Sequence, residues 1–599
     1  MTSLLRRMLP VVLLLGSTSV FAAHTDDWIT TYERSNYLRT PRYKETVAYC
    51  KRLASASPWI HYTSFGVSPQ GRDLPLLILD KNGNFTPEAV RQTGNAVVLI
   101  QAGIHSGEID GKDAGLMLAR DIAIHKKYAS LLDHVTVLFN PIFNVDGHER
   151  FSKYNRINQN GPEEMGWRVT AQNLNLNRDY LKADAPEMQA WLRLYTRWLP
   201  EFFVDCHVTD GADYQYTVTY ALEIFGNMDP ELTRWTRDEY LAPLKRQMKQ
   251  SGFPIIRYNA YRRRHDPKSG LVSWAAGPRF SEGYTAIQNR PGLLIETHML
   301  KPYRKRVTGT YEMLRHTLEL VGTTRDDLRR ACRDADARCA SGALVGTNFP
   351  LSFRLGPDSV MVDFLGVKYD VVKSDLTGGR WFQYHPDRPV TWRIPYFNTQ
   401  VPAITATLPE AYLVPPEWTR VIDRLQLHGV AVDRLRTPVT LAVSTVRFSG
   451  ARWAQHPWEG RHRMSFTARD TVETRTYPAG TALIDMHQRA ARVAAHILEP
   501  NAPDSYVAWG FFDTIFEQKE YVESYVMERL ARKMLAQNPN LRDDFHTAIA
   551  SDSALAANPG AIINWFYRRS PWWDARIGAY PVGRIRDRAQ VRHLLSAVQ

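Results

Sequence analysis

From about Asp26 to Thr324 the chain alternates short apolar runs with longer amphipathic segments, the signature of an α/β arrangement with a mixed sheet. The apolar runs predict strands over Leu74–Leu79, Ala96–Gln101, Val135–Asn140, Glu201–Cys206, Thr217–Glu223 and Gly292–Glu296. Helical spacing predicts helices over Lys112–His125, Pro186–Arg197, Glu231–Ser251 and Gly309–Val321. A polar segment near Arg325–Gly342 then separates this region from one of different character. There Ser359–Val372, Thr391–Phe397, Val439–Phe448 and Arg461–Tyr477 read as strands, and Glu417–His428, Asp485–Leu498 and Glu517–Ala536 as helices. The expected organisation is an α/β region over residues 24–325 followed by an α+β C-terminal region over residues 343–599.

At 599 residues the chain is too long for one core, and its 44% hydrophobic and 23% charged content is that of an ordinary folded protein. Residues 1–23 read as an export signal: Arg6 and Arg7, an apolar segment from Leu9 to Leu15, and small residues ending in Ala22-Ala23. No later stretch reaches the roughly 18 apolar residues of a transmembrane helix, so the expected location is outside the cytoplasm, periplasmic or extracellular, with no membrane anchor. No inhibitory pro-segment is recognisable between the signal and Tyr32. The formal charge of +13, two units of it in the signal, favours anionic surfaces such as cell wall or lipid headgroups. Nucleic acid is not an expected partner, because the basic residues are dispersed and form no motif of known geometry. Of the four cysteines, Cys50, Cys206, Cys332 and Cys339, the last two could close a short loop in an oxidising compartment. With no Cys-x-x-Cys present, a metal would be held by His and Glu or not at all.

The chemistry concentrates at strand ends. His105 and Glu108 follow the run Ala96–Ile100, and His207 ends the run that starts at Phe202. Together they make a His/Glu/His set with an open fourth position, the ligand pattern of catalytic zinc. Glu296 ends the run Leu293-Leu294-Ile295, where partial desolvation would raise its pKa towards that of a useful base.

Four separated motifs in order, His105-x-x-Glu108, Asn144-Val145-Asp146-Gly147, Asn177-Arg178 and His207, followed by the strand ending in Glu296, resemble the carboxypeptidase A-like zinc carboxypeptidases. The likeness covers roughly the first half of the chain, and Val145 stands where the family usually has proline. It implies an eight-stranded mixed sheet flanked by helices, one zinc ion per chain on His105, Glu108 and His207, and Glu296 as general base. It also implies that Asn177 and Arg178 grip the substrate's terminal carboxylate, a task suited to the guanidinium fork. Arg168 is the candidate for stabilising the oxyanion, with Arg156 as the alternative. Tyr284 is the candidate for the tyrosine that closes over substrate, although it stands nearer to Glu296 than is usual. Asn175 occupies a position where many members have an aspartate that accepts a hydrogen bond from a zinc-bound histidine, so the ligand would be slightly less basic. His298 shares the strand face of Glu296 and is not assigned as a ligand.

The expected activity is removal of a C-terminal residue from peptides or proteins by zinc-dependent hydrolysis. The alternatives are a peptidoglycan stem-peptide amidase or endopeptidase of the same fold, acting on cell-wall peptides, and a non-catalytic wall-binding protein. No acidic residue between Ile255 and Tyr284 is evidently placed to select basic C-terminal side chains. The aromatics of the second half read mainly as core, and Trp509–Asp513 with the helix after it would pack across the active-site face.

Overall fold

The computed structural model describes residues 27–596 apart from Asn259, so the expected export signal lies outside the described residues. Its centre is an eight-stranded mixed sheet. In chain order the strands are β1 (Ile60–Val67), β2 (Asp73–Leu79), β3 (Ala96–Ala102), β4 (Val135–Asn140), β5 (Phe202–Thr209), β6 (Val218–Ala221), β7 (Ile255–Arg257) and β8 (Gly292–His298). They lie side by side as β1-β2-β4-β3-β5-β8-β6-β7. The inner strands β4, β3, β5 and β8 run parallel to one another, while β1, β2 and β6 pair antiparallel to their inner neighbours.

The inner strands are apolar throughout because both faces are covered. Val97 and Leu99 of β3 point into one core and Val98 and Ile100 into the other, as a two-residue period requires. Helices Tyr43–Ala56, Asp110–Ala123 and Tyr303–Thr323 pack over the second of these faces. The other face carries helix Pro186–Trp198, and on top of it residues of the C-terminal half, among them Ile422, Leu425, Ile497 and Tyr506. The two halves therefore share a core.

The six strands expected in the first half are present, with β5 and β8 running two or three residues beyond the expected ends. β1 is an additional edge strand whose polar residues His61, Thr63 and Ser64 hide it from a search for apolar runs. The helix expected over Glu231–Ser251 is present as a continuous helical run, α-helical at Pro230–Arg234 and Ala242–Gln250 with a wider π-helical segment at Trp235–Leu241 between them. The polar segment near Arg325–Gly342 is a helix, Arg325–Ala340, and not an open connection. It buries Leu328, Cys332, Ala335 and Cys339 along one face. That geometry excludes the Cys332–Cys339 bridge: seven residues of helix separate the two by about 10 Å at 1.5 Å per residue, beyond the roughly 7 Å a disulfide spans. Both thiols are free and buried.

The second half adds a six-stranded sheet and a long hairpin, Val360–Lys373 with Arg380–Phe397. That hairpin extends a small sheet begun in the first half by Ala260–Arg263 and Asp266–Val272. Among the described residues no helix is long and apolar enough to cross a membrane.

Candidate metal centre and active site

The C-terminal ends of β3, β5 and β8 converge on a cavity of about 680 Å³. The chain leaves β3 through Gly103, whose φ of 65° turns it away from the strand direction and delivers His105 and Glu108 to the sheet edge. Gly107 matters for a different reason: a Cβ there would lie 2.3 Å from Cδ of Arg156, so only glycine lets that side chain pass to Glu108. His207 and Glu296 are register partners on the parallel pair β5 and β8, which sets them side by side.

His105, Glu108 and His207 form the cluster of metal-ligating side chains found among the described residues, and all three are buried. Nδ1 of His105 lies 3.2 Å from Oε2 of Glu108, Nδ1 of His207 lies 3.1 Å from the same oxygen, and the two Nδ1 atoms are 3.2 Å apart. An ion bound at about 2.0–2.1 Å to three tetrahedral ligands holds them about 3.3–3.4 Å apart, so this triangle fits zinc. The outer ring nitrogens are both engaged. Nε2–H of His105 donates to Oδ1 of Asn175 at 2.9 Å, and Nε2–H of His207 donates to Oδ2 of Asp205 at 2.8 Å. Each bond leaves Nδ1 for the metal.

The electrostatics suit that role. Burial lowers the His105 pKa to about 4, so its ring is neutral. Burial opposes a charge on His207 as well, but the buried Asp205 carboxylate outweighs it and raises the pKa well above the usual value. Burial would raise Glu108, yet the neighbouring His105, Arg156 and His207 hold it well below the ordinary carboxylate range. Its other oxygen, Oε1, is met by Arg156 at 2.9 Å and Arg168 at 3.0 Å.

Glu296 faces the same cavity with Oε2 unpartnered. Burial, and after it the neighbouring Glu108 and Glu282 against the opposing pull of His207, pushes its carboxyl up to about 8. Asn177 and Arg178 line the cavity from the short 3₁₀ turn Leu176–Arg178. Oδ1 of Asn177 accepts the Ser281 N–H at 3.1 Å, and the Arg178 guanidinium lies 4.5 Å from the centre of the Phe280 ring.

Seven of the residues expected at the site, His105, Glu108, Arg168, Asn177, Arg178, His207 and Glu296, thus line one cavity, as does the alternative arginine, Arg156. Tyr284 does not. It sits fully buried in helix Ser281–Ile287, its hydroxyl bound to His428 at 2.9 Å and Gln288 at 2.8 Å, facing the core shared with the second half. The tyrosine at the cavity is Tyr258, beside Trp274. Helix Ser281–Ile287 instead presents Glu282 to the cavity, buried and with its pKa raised by that burial, so an acidic wall residue exists where none was expected. His298 is buried and does not line the cavity; its Nε2 is bound to the Ala212 carbonyl at 3.0 Å. Asp205 was legible in Asp205-Cys206-His207, since a two-residue step on a strand puts both side chains on one face. Trp509 is buried and stacks on Trp458, while the helix after it, Ser524–Gln537, packs with Pro559–Tyr567 rather than across the cavity.

Residues 46–237 match the family model described as zinc carboxypeptidase. A protein named carboxypeptidase 2 from Trichophyton rubrum is 24% identical over 494 residues, covering 78% of this chain and 84% of that protein. Its namesake from Trichophyton equinum is 23% identical over 498 residues with the same coverage. Among solved structures, carboxypeptidase A from Helicoverpa armigera aligns over 50% of this chain and 74% of its own at 16% identity, with a TM-score of 0.36.

Proposed function

We propose, from the premise that this chain belongs to the zinc carboxypeptidase family, that it is a metallocarboxypeptidase releasing the C-terminal residue of peptides with one zinc ion per chain. The observation that carries this reading is the meeting, in one cavity, of a His/Glu/His triangle of metal-ligating geometry, a carboxylate with an uncommitted oxygen and an asparagine–arginine pair. A zinc ion on His105, Glu108 and His207 would supply Lewis-acid activation of water and of the scissile carbonyl.

The chain's own residues account for the rest. Arg178 and Asn177 fix the substrate's terminal carboxylate, and a requirement for that carboxylate makes the enzyme an exopeptidase. Glu296, which faces the cavity with one oxygen uncommitted, accepts a proton from the attacking water and returns it to the leaving amine. Arg168 is the arginine proposed to stabilise the developing oxyanion: its side chain is 42% exposed against 16% for Arg156, so it has the freedom to turn from Glu108 to substrate. Glu282 in the cavity wall favours a cationic C-terminal side chain. The pattern of residues 1–23 supports export. No feature of the site favours cell-wall stem peptides over ordinary peptides.

The test is a pair of peptides of one sequence, one a free acid and one amidated at its C-terminus, read by mass spectrometry with zinc-loaded protein. Sequential loss of single C-terminal residues from the free acid alone is the expected outcome. Internal cleavage, or equal cleavage of both peptides, would overturn the exopeptidase reading.

A further inference from the structure

The Asn175–Arg178 segment holds three jobs at once: Asn175 receives the His105 ring, and Asn177 and Arg178 face the cavity. Oδ1 of Asn175 accepts from both His105 Nε2–H at 2.9 Å and Asn177 N–H at 3.0 Å, so this one oxygen ties the metal ligand to the substrate-gripping pair. The backbone N–H of Asn175 is in turn taken by a residue 284 positions away, Glu459, whose Oε2 lies 3.0 Å from it.

Glu459 occupies an unusual place. Trp458 and Arg461 exchange backbone hydrogen bonds of 2.9 and 3.2 Å, leaving Glu459 and Gly460 as a two-residue hairpin loop. Their φ angles are 52° and 78°, positive at both positions, which is the type I′ turn. Asparagine, aspartate or glycine suits the first position of such a turn; glutamate there holds a strained backbone. Strain of this kind persists where surrounding contacts require the side chain, and the contact here is Asn175. The same turn grips the segment again further along, where Arg461 meets Asp184 through two bonds of 2.6 and 2.7 Å.

We infer that Glu459, contributed by the C-terminal half, is a positioning residue: through Asn175 it fixes the ring of His105 and the placement of Asn177 and Arg178. The inference rests on the zinc carboxypeptidase reading of the site. It makes the C-terminal half a working part of the metal and substrate sites.

The strained turn supplies a test in which stability and function move in opposite directions. In full-length protein, Glu459→Asn suits the turn better but is one methylene too short to keep the bond to Asn175, whereas Glu459→Gln retains an acceptor oxygen of the same reach. Zinc affinity is measured on metal-stripped protein by competition with a chromophoric chelator, beside the melting temperature of the metal-free protein and kcat and KM on a free-acid peptide. Glu459→Asn should melt at or above the wild-type temperature, bind zinc about tenfold more weakly, as expected for loss of support behind a metal ligand, and raise KM more than it lowers kcat. Glu459→Gln should stay within about threefold of wild type in zinc affinity, because a neutral acceptor keeps most of the bond. Wild-type zinc affinity in Glu459→Asn, or a loss in Glu459→Gln equal to that in Glu459→Asn, would overturn the role of Glu459. So would a zinc affinity that falls only in step with the melting temperature. A wild-type protein that takes up no zinc would overturn the reading of the site itself, which is a separate result.

Discussion

Replacing Asp205 by asparagine probes the metal centre through its support. Asp205 is fully buried; Oδ2 takes the His207 Nε2–H at 2.8 Å and Oδ1 takes the Gln101 amide at 2.9 Å. Asparagine preserves the shape and one acceptor but removes the charge. A hydrogen bond to a charged group contributes about 1.5–3 kcal/mol and a neutral one about 0.5–1.5 kcal/mol. The difference, about 1–1.5 kcal/mol, corresponds to close to tenfold in zinc affinity, at the low end of the 10–100-fold typical of such supports. Asn175 is the neutral counterpart behind His105, so Asn175→Asp should shift affinity the other way, tightening zinc a few-fold. A proton count gives the same test a second reading. The Asp205 charge holds His207 above its usual pKa, so metal-free protein carries a proton on Nδ1 that zinc must displace. Calorimetry in two buffers of different ionisation enthalpy should therefore show proton release on zinc binding, smaller in Asp205→Asn than in wild type. Zinc affinity within twofold of wild type in Asp205→Asn, with unchanged proton release, would refute the assignment of His207 as a ligand through Nδ1.

Two further outcomes follow from buried carboxylates. Burial pushes Glu223 up to about 7 against the pull of Arg257, so the folded protein keeps a proton that the unfolded chain loses near pH 4.5. Wild-type stability should then fall by about 3 kcal/mol between those pH values, at 1.36 kcal/mol per pKa unit, and denaturant titrations of Glu223→Gln should lack that decline. Glu282→Gln should raise KM for peptides ending in lysine or arginine by about tenfold, the worth of one charged contact, and leave peptides ending in leucine unchanged. Equal effects on both peptide classes would remove Glu282 from substrate recognition.

The inner sheet and the metal triangle were legible because each strand, and each ligand, is marked by its own apolar run, although His207 stands 102 positions from His105. An apolar run fixes a strand buried on two faces, and His105-x-x-Glu108 lies within one turn of chain after it. What escaped was what depends on partners. The helix Arg325–Ala340 carries its apolar stripe at Leu328, Cys332, Ala335 and Cys339 beneath a dense cover of charges, so composition read it as a connector. The helix Ser281–Ile287 was unseen, and without it the orientation of Glu282 and Tyr284 could not be assigned: one faces the cavity, the other the core. The bond from Glu459 to Asn175 joins positions with no pattern in common, and only the packing of the second half onto helix Pro186–Trp198 brings them together.

The central claim, that one chain combines a zinc centre with Glu296 as its proton carrier, is met most directly by Glu296→Gln. Zinc content by atomic emission and release of C-terminal residues from a peptide library would be measured together for this variant and wild type. The account predicts about one zinc per chain in both and loss of at least a thousandfold in turnover for the variant, since Glu296 moves the proton in both directions. Undiminished turnover in Glu296→Gln with zinc bound would contradict it.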